Sequence, residues 1–136
     1  MTSITISVPG IPKPQGSLAA TVVGGKALMF SANKATRPWR QEVAYAMREA
    51  WTGEPAAGAV TLTLKFWLPR PASVSEKQRP NHVVKPDLDK LCRAILDAGT
   101  GVLYRDDSQV FYMLVSKWYS GGPEHPHPGV EIEFSS

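Results

Sequence analysis

Hydrophobic and polar residues alternate over several short stretches of the chain, as they do in half-buried β-strands. The clearest case is residues 60–68, VTLTLKFWL, where every second position from Val60 to Leu68 is apolar and Trp67 falls on the opposite face beside Lys65. Two apolar stretches on either side of Gly24-Gly25 are typical of a β-hairpin. Together these patterns predict strands at residues 2–8, 21–30, 60–68, 102–104, 109–119 and 130–134.

Two further stretches carry apolar residues at helical spacing. The first has Thr36 as the expected N-cap and Pro38 in the first turn, and it ends before Gly53 and Pro55. Its apolar face consists of Trp39, Val43, Met47 and Trp51. The second, residues 88–99, begins after Pro86-Asp87 and ends at Gly99. Two helices interleaved among strands predict a single α+β domain over residues 1–136, with a mixed, mostly antiparallel sheet.

Length and composition narrow the class of protein. The chain has 136 residues, of which 43% are hydrophobic and 20% are charged, with a formal net charge of +3, so a disordered chain is excluded. One cysteine, Cys92, excludes a disulfide framework and a cysteine zinc site. No apolar run has the length of a membrane span, and the first residues lack a signal-peptide pattern. We expect an intracellular, cytoplasmic protein that does not associate with a membrane.

Charge is distributed unevenly along the chain. Residues 1–80 contain ten basic residues and four glutamates, whereas residues 81–136 contain five basic and eight acidic residues. All five aspartates lie between positions 87 and 107. A basic surface beside an acidic spot suits a polyanion whose phosphates meet a metal ion, although a solvated basic face is the plainer alternative. The candidate DNA contacts are Lys13, Lys34, Arg37, Arg40, Lys77, Arg79, Lys85 and Lys90.

Two acidic pairs flank the second helix. Asp87 and Asp89 lie at its start, and Asp106 and Asp107 lie on the turn that precedes the long strand. A helix of twelve residues carries the chain about 18 Å away, and a short returning strand can bring the second pair back beside the first. Four converging carboxylates repel one another unless a cation lies between them, and oxygen ligands of this kind suit Mg²⁺. Without a cysteine pair or a histidine cluster, zinc is disfavoured.

Each acidic residue also has an ordinary structural explanation. Asp87 is in the position of a helix N-cap. Asp89, Arg93 and Asp97 have the spacing of a solvated salt-bridge ladder. Asp106-Asp107-Ser108 has the composition of a turn. Taken singly, each of these motifs favours the structural explanation, and the two pairs together favour a metal site.

The stretch KPDLDKLCRAILDAGTGVLYRDDSQV, residues 85–110, closely resembles the signature of the RusA-type Holliday-junction resolvases, K-P-D-x-D-N-L-x-K-x-x-L-D-A-L-x-G-x-x-x-x-D-D-x-Q-V. Weaker agreement extends to the strand leading into the Pro-Lys-Pro segment, the helix with Trp39-Arg40 and the closing strand. The resemblance implies a homodimeric endodeoxyribonuclease that requires Mg²⁺, with Mn²⁺ as a substitute. It also implies paired symmetrical nicks in four-way DNA junctions, in recombination and repair.

By position, the resemblance implies that Asp87, Asp89 and Asp107 are the catalytic, metal-binding acids and that Asp106 is their neighbour in the metal cluster. Lys90 stands where the family has asparagine, Gly99 where it has leucine, and Arg93 where it has a catalytic lysine. Arginine can stabilise charge on a phosphate but does not give up its proton. Two alternatives therefore stay open: a nuclease acting on flaps or other branched DNA, and a DNA-structure-binding protein that does not cut.

Overall fold

The computed structural model describes residues 2–15, 18–23, 26–31 and 36–136 of the chain, with the backbone alone for residues 18–23, 26–31 and 36–37. The strands are β1 (Ser3–Pro9), β2 (Leu18–Val23), β3 (Lys26–Ser31), β4 (Val60–Leu68), β5 (Val110–Tyr119) and β6 (Gly129–Ser135). The helices are α1 (Thr36–Ala50) and α2 (Leu88–Gly99), and a short 3-10 turn spans Asp107–Gln109.

Four strands form the main sheet, in the order β1-β6-β4-β5. β6 pairs antiparallel with β1 and with β4, whereas β4 and β5 run parallel. β2 and β3 form a separate antiparallel pair. The predicted α+β class and the mixed, mostly antiparallel sheet are therefore confirmed. In this order β5 is an edge strand, with β4 as its neighbour on one side.

The core lies between the sheet and the two helices. The alternating positions of β4 that the sequence predicts as inward, such as Leu62, Leu64 and Phe66, are at most 1% exposed. α1 buries Val43 and Met47 against them, and α2 contributes a second apolar stripe to the same core. Its fully buried members are Leu91, Ala94 and Ile95. This amphipathic packing fixes α2 on the sheet and leaves its opposite face, which carries the acidic residues, in solvent.

The return from α2 to β5 differs from the prediction. Residues 102–104 do not form a strand, and Tyr104 makes only isolated bridges, to Ala56 and Thr100. The chain instead turns through Gly101, whose φ of 83° lies in the left-handed region that glycine adopts readily. Tyr104 is fully buried and its hydroxyl donates a hydrogen bond to Leu96 O over 2.8 Å. A buried anchor, rather than strand pairing, therefore brings the chain back along α2.

Three smaller expectations have separate outcomes. Thr36 is the first helical residue of α1 rather than the residue before the helix. The turn predicted at Gly24-Gly25 lies outside the described residues. Trp67 does fall on the face of β4 away from the helices, but it is 9% exposed because His125 stacks on it with ring centroids 3.7 Å apart.

Within the described ranges, neither helix is both long and apolar enough to cross a bilayer.

Candidate active site

The start of α2 presents two exposed carboxylates. Asp87 is the N-cap residue, with φ −70° and ψ 144°, yet its side chain makes no capping hydrogen bond. The carboxylate of Asp87 is therefore not used for the structural role that its position allows. Asp89 follows in the first helical turn, where the partial positive charge of the helix N-terminus favours acidic groups. Lys117 steadies this region, because its ammonium donates hydrogen bonds to Val84 O and Pro86 O over 2.7 and 2.9 Å.

The second acidic pair divides into two different roles. Asp106 caps the 3-10 turn, because its Oδ2 accepts hydrogen bonds from the backbone N–H of Ser108, at 3.0 Å, and from the Ser108 hydroxyl. These bonds hold the pKa of Asp106 below its usual value. Asp107 is the first residue of that turn and is exposed. For Asp106 the structure thus favours the turn explanation, while the carboxylate of Asp107 remains available for a ligand.

Gln109 completes the turn and attaches it to the rest of the fold. Its side-chain oxygen accepts hydrogen bonds from the backbone N–H groups of Arg105 and Asp106, over 2.8 and 2.9 Å. Its side-chain nitrogen donates to Ala56 O and Gly58 O, both over 2.8 Å. The sequence signal for this residue is its place directly after Asp106-Asp107-Ser108. Gln109 positions Asp107 relative to the strand β4 that follows Gly58.

Asp89 and Asp107 line one cavity of about 230 Å³, together with Arg93 and Met113. Asp89, Arg93 and the other α2 residues on its wall follow the helical spacing of one face. No ion pair formed between described residues includes Arg93, so the predicted salt-bridge ladder is absent from them and the guanidinium is free to meet an anion. Cys92, on the same wall, has its pKa raised to about 11 by burial and by the nearby Asp89 carboxylate, so its thiol stays protonated.

The predicted convergence of all four carboxylates is not reproduced. Among the residues that the structure describes, no three acidic, histidine or cysteine side chains stand close enough to hold a metal as a group. The Asp106 carboxylate caps the 3-10 turn by accepting hydrogen bonds from Ser108. Asp87 lines a neighbouring cavity instead of the one between Asp89 and Asp107. Two exposed carboxylates on one cavity do fit Mg²⁺, which takes one or two such ligands and completes its shell with water and substrate phosphate. Asp89 and Asp107 would hold it.

The predicted DNA contacts fall into four groups. Lys13, Lys85 and Lys90 line the neighbouring cavity beside Asp87, and Lys77 is exposed on the loop after β4. Arg79 and Arg40 have structural partners: Arg79 donates to the Tyr119 hydroxyl over 3.2 Å, and Arg40 donates to Gln15 Oε1 over 3.1 Å. Arg40 also lies 3.9 Å from Asp97 Oδ2. Lys34 and the side chain of Arg37 lie outside the described residues.

Comparison with known proteins decides the family. The sequence profile of the family described as Endodeoxyribonuclease RusA matches residues 9–134, nearly the whole chain. The chain belongs to the RusA family. It is also 30% identical over 132 residues to the uncharacterized protein YqaN of Bacillus subtilis (strain 168), covering 90% of this chain and 92% of that protein. The resemblance seen in residues 85–110 is thereby confirmed, and the RusA family is one of DNA endonucleases.

Proposed function

We propose that this chain is a divalent-metal-dependent endodeoxyribonuclease that resolves four-way DNA junctions. The observation that carries the proposal is the cavity shared by Asp89, Asp107 and Arg93 in a chain of the RusA family. The chemistry is hydrolysis of a phosphodiester, in which water attacks phosphorus and the sugar oxygen leaves. Recombination and repair of DNA, in the cytoplasm of a cell without a nucleus, is the setting that this activity suits.

Three residues of the cavity, and one beside it, have roles in this proposal. Asp89 and Asp107 bind Mg²⁺, or Mn²⁺ in its place, and Asp87 adds negative charge at the same end of α2. The bound ion would supply Lewis-acid stabilisation of phosphate charge and a more acidic water. Arg93 holds a non-bridging phosphate oxygen and stabilises the charge that develops on it, and it takes no part in proton transfer because guanidinium does not deprotonate.

The capping residues act through geometry. Asp106 and Gln109 fix the 3-10 turn, and the turn sets where the Asp107 carboxylate stands. Tyr104 fixes the preceding connection to α2 through its bond to Leu96 O. These residues are positioning residues, because none of them lines the cavity between Asp89 and Asp107. A site held by such supports keeps its carboxylates within the narrow tolerance that metal chemistry requires.

We further propose that the chain acts as a homodimer through β5. Paired nicks need two sites related by a twofold axis. β5 is an edge strand with large exposed side chains: Phe111 is 72% exposed, Tyr112 and Leu114 are 57% exposed, and Trp118 is 50% exposed. Aromatic side chains bury roughly 150–250 Å² each, so two copies of this strand would bury on the order of 1,000 Å² of side chain, close to the lower limit of a stable interface.

One assay separates this function from its alternatives. The chain is incubated in Mg²⁺ with a four-way junction, a flap and a linear duplex of matched sequence, and the products are resolved on a denaturing gel. We expect paired, symmetrical cleavage of the junction and little cleavage of the duplex. Preferential cleavage of the flap would show that the chain is a nuclease for other branched DNA rather than a junction resolvase. Tight binding without cleavage of any substrate would favour the non-cutting DNA-binding protein.

A further inference from the structure

A second cavity, of about 490 Å³, opens between the segment after β1 and the start of α2. Its volume lies within the range of small-molecule sites, roughly 300–1,000 Å³, and is far too small for a duplex. The apolar part of its wall consists of Ile11, Pro12, Pro14, Leu68, Pro69 and Pro86. The charged part consists of Lys13, Lys85, Lys90 and Asp87. The charged part has three ammonium groups and one carboxylate, so it attracts an anion. The adjacent apolar part suits a flat ring.

His82 adds an unusual polar group to this cavity. Its side chain lines the cavity, is only 6% exposed, and has an Nδ1 with no hydrogen-bond partner among the described residues. Buried polar atoms are nearly always hydrogen-bonded, so this nitrogen is open to a hydrogen bond with a molecule that enters the cavity. Burial lowers the pKa of His82, and the charges of Lys117 and Arg79 lower it further. A neutral imidazole has one donor nitrogen and one acceptor nitrogen, so it can hydrogen-bond to an uncharged group such as a base edge.

The walls of the cavity are held in place before any ligand arrives. The backbone N–H of Gln15 donates to Lys90 O over 3.0 Å, and the Gln15 side chain donates to Asp97, so the segment after β1 is fixed on α2. The opposite wall is fixed by Lys117, through its bonds to Val84 O and Pro86 O. A preformed cavity loses little entropy when it is filled, which favours specific binding.

We infer that this cavity takes one unpaired nucleotide of the cleaved DNA strand, with its base among the prolines and His82 and its phosphate at the lysines. This inference rests on the proposed function, because it takes the strand at the active site as DNA. Asp87 on the cavity wall and Asp89 two residues later connect the two sites along the start of α2. Extruding a base costs least where pairing is already broken, so such a pocket favours a branch point over a continuous duplex.

The test is a binding assay that needs no cleavage. The 136-residue chain is titrated in EDTA against four-way junctions in which single nucleotides around the crossover are made abasic, one junction at a time. At one position, loss of the base is expected to weaken binding about tenfold, the effect of losing one stacked base. The variant Ile11→Trp fills the cavity and is expected to abolish that difference. Val83→Trp places the same ring on a surface residue that does not line the cavity and is expected to match the wild type.

The outcomes separate this inference from the proposed function. A flat abasic scan of the wild type would overturn the inference. Binding that is weakened only by methylphosphonates, which remove a phosphate charge and keep the base, would also overturn it. An unchanged abasic effect in Ile11→Trp would also overturn it. If that variant does not fold, 2-aminopurine at the sensitive position of the wild-type complex decides, because an extruded base changes its fluorescence and a stacked one does not. Absence of cleavage in Mg²⁺ together with a retained abasic effect would refute the nuclease and leave the pocket standing.

Discussion

Asp89 on α2 and Asp107 in the turn before β5 line the same cavity, although the rest of α2 and a buried connection separate them in the chain. Arg93 stands on that cavity one helical turn after Asp89. The arrangement depends on Tyr104, which is buried and bonded to Leu96 O, and on Gln109, which attaches the turn to the chain before β4. In the proposed mechanism this pair of carboxylates, rather than a group of four, binds the metal ion.

The first prediction concerns metal binding without DNA. If Asp89 and Asp107 bind Mg²⁺ only when the protein is folded, the ion stabilises the fold by about 1.4 kcal/mol when its concentration is ten times the dissociation constant. We expect Mg²⁺ to raise the melting temperature of the wild type relative to EDTA and to have no such effect on Asp89→Asn. The measurement is differential scanning calorimetry, with the exposed surface variant Lys77→Ala as the control. An equal rise in Asp89→Asn would place the ion elsewhere.

The second prediction concerns Arg93, which stands where the family has lysine. We expect Arg93→Ala to lower junction cleavage by about 100-fold, since loss of one donor to the charge that develops in an oxyanion hole costs about 2.7–4 kcal/mol, roughly 10²–10³ in rate. Arg93→Lys keeps a positive charge and is expected to remain within about threefold of the wild type. Single-turnover rates in Mg²⁺ measure both. A rate for Arg93→Lys well above the wild type would show that the reaction gains from a side chain able to transfer a proton.

A third prediction addresses the dimer. Leu114→Asp introduces a charge into the exposed apolar surface of β5 and is expected to convert the dimer to a monomer in sedimentation equilibrium. Val83→Asp is the matched control, because Val83 is 72% exposed but lies on the loop before α2. The monomer is expected to lose paired nicks while keeping the fold. If Leu114→Asp stays dimeric, or if the wild type is a monomer, the interface through β5 is refuted.

A fourth prediction follows from Gly99 and Tyr104. A Cβ placed on Gly99 would lie 2.6 Å from the Tyr104 hydroxyl oxygen, so the tyrosine occupies the space of a side chain at position 99. Restoring the family's leucine, Gly99→Leu, is expected to destabilise the protein by about 1–3 kcal/mol through overpacking. The double variant with Tyr104→Ala is expected to recover part of that loss in urea denaturation. Strict additivity of the two single effects would show that the residues do not compete for this space.

The parts of the fold that sequence predicted well are those set by local periodicity. β4 alternates strictly and α2 repeats its apolar residues at helical spacing, so each element's buried face follows from neighbouring residues alone. The stacking of His125 on Trp67 joins a loop to a distant strand, and no local pattern contains it. The sequence around Tyr104 predicts a strand because the neighbouring residues are apolar. In the structure, tertiary contacts with Leu96 and Ala56 hold the buried Tyr104 in a turn.

For the candidate site, the sequence predicts which residues to consider but not how they are arranged. The two acidic pairs and Arg93 could be named from residues 85–110. Asp106 and Asp107 are chemically identical neighbours, and only the backbone of the 3-10 turn decides which carboxylate bonds to Ser108 and which faces the cavity. In the same way, helical geometry places Asp87 and Asp89 on different cavities.

The most direct test of the central claim compares these adjacent acids under identical conditions. Asp107→Asn removes a charge from the cavity shared with Asp89, whereas Asp106→Asn removes a charge but keeps an oxygen that can accept the capping bonds from Ser108. Single-turnover cleavage of a four-way junction in Mg²⁺ is expected to fall at least about 100-fold in Asp107→Asn, with junction binding in EDTA retained. Asp106→Asn is expected to cleave close to the wild-type rate. Normal cleavage by Asp107→Asn, or equal loss in both variants, would contradict the account.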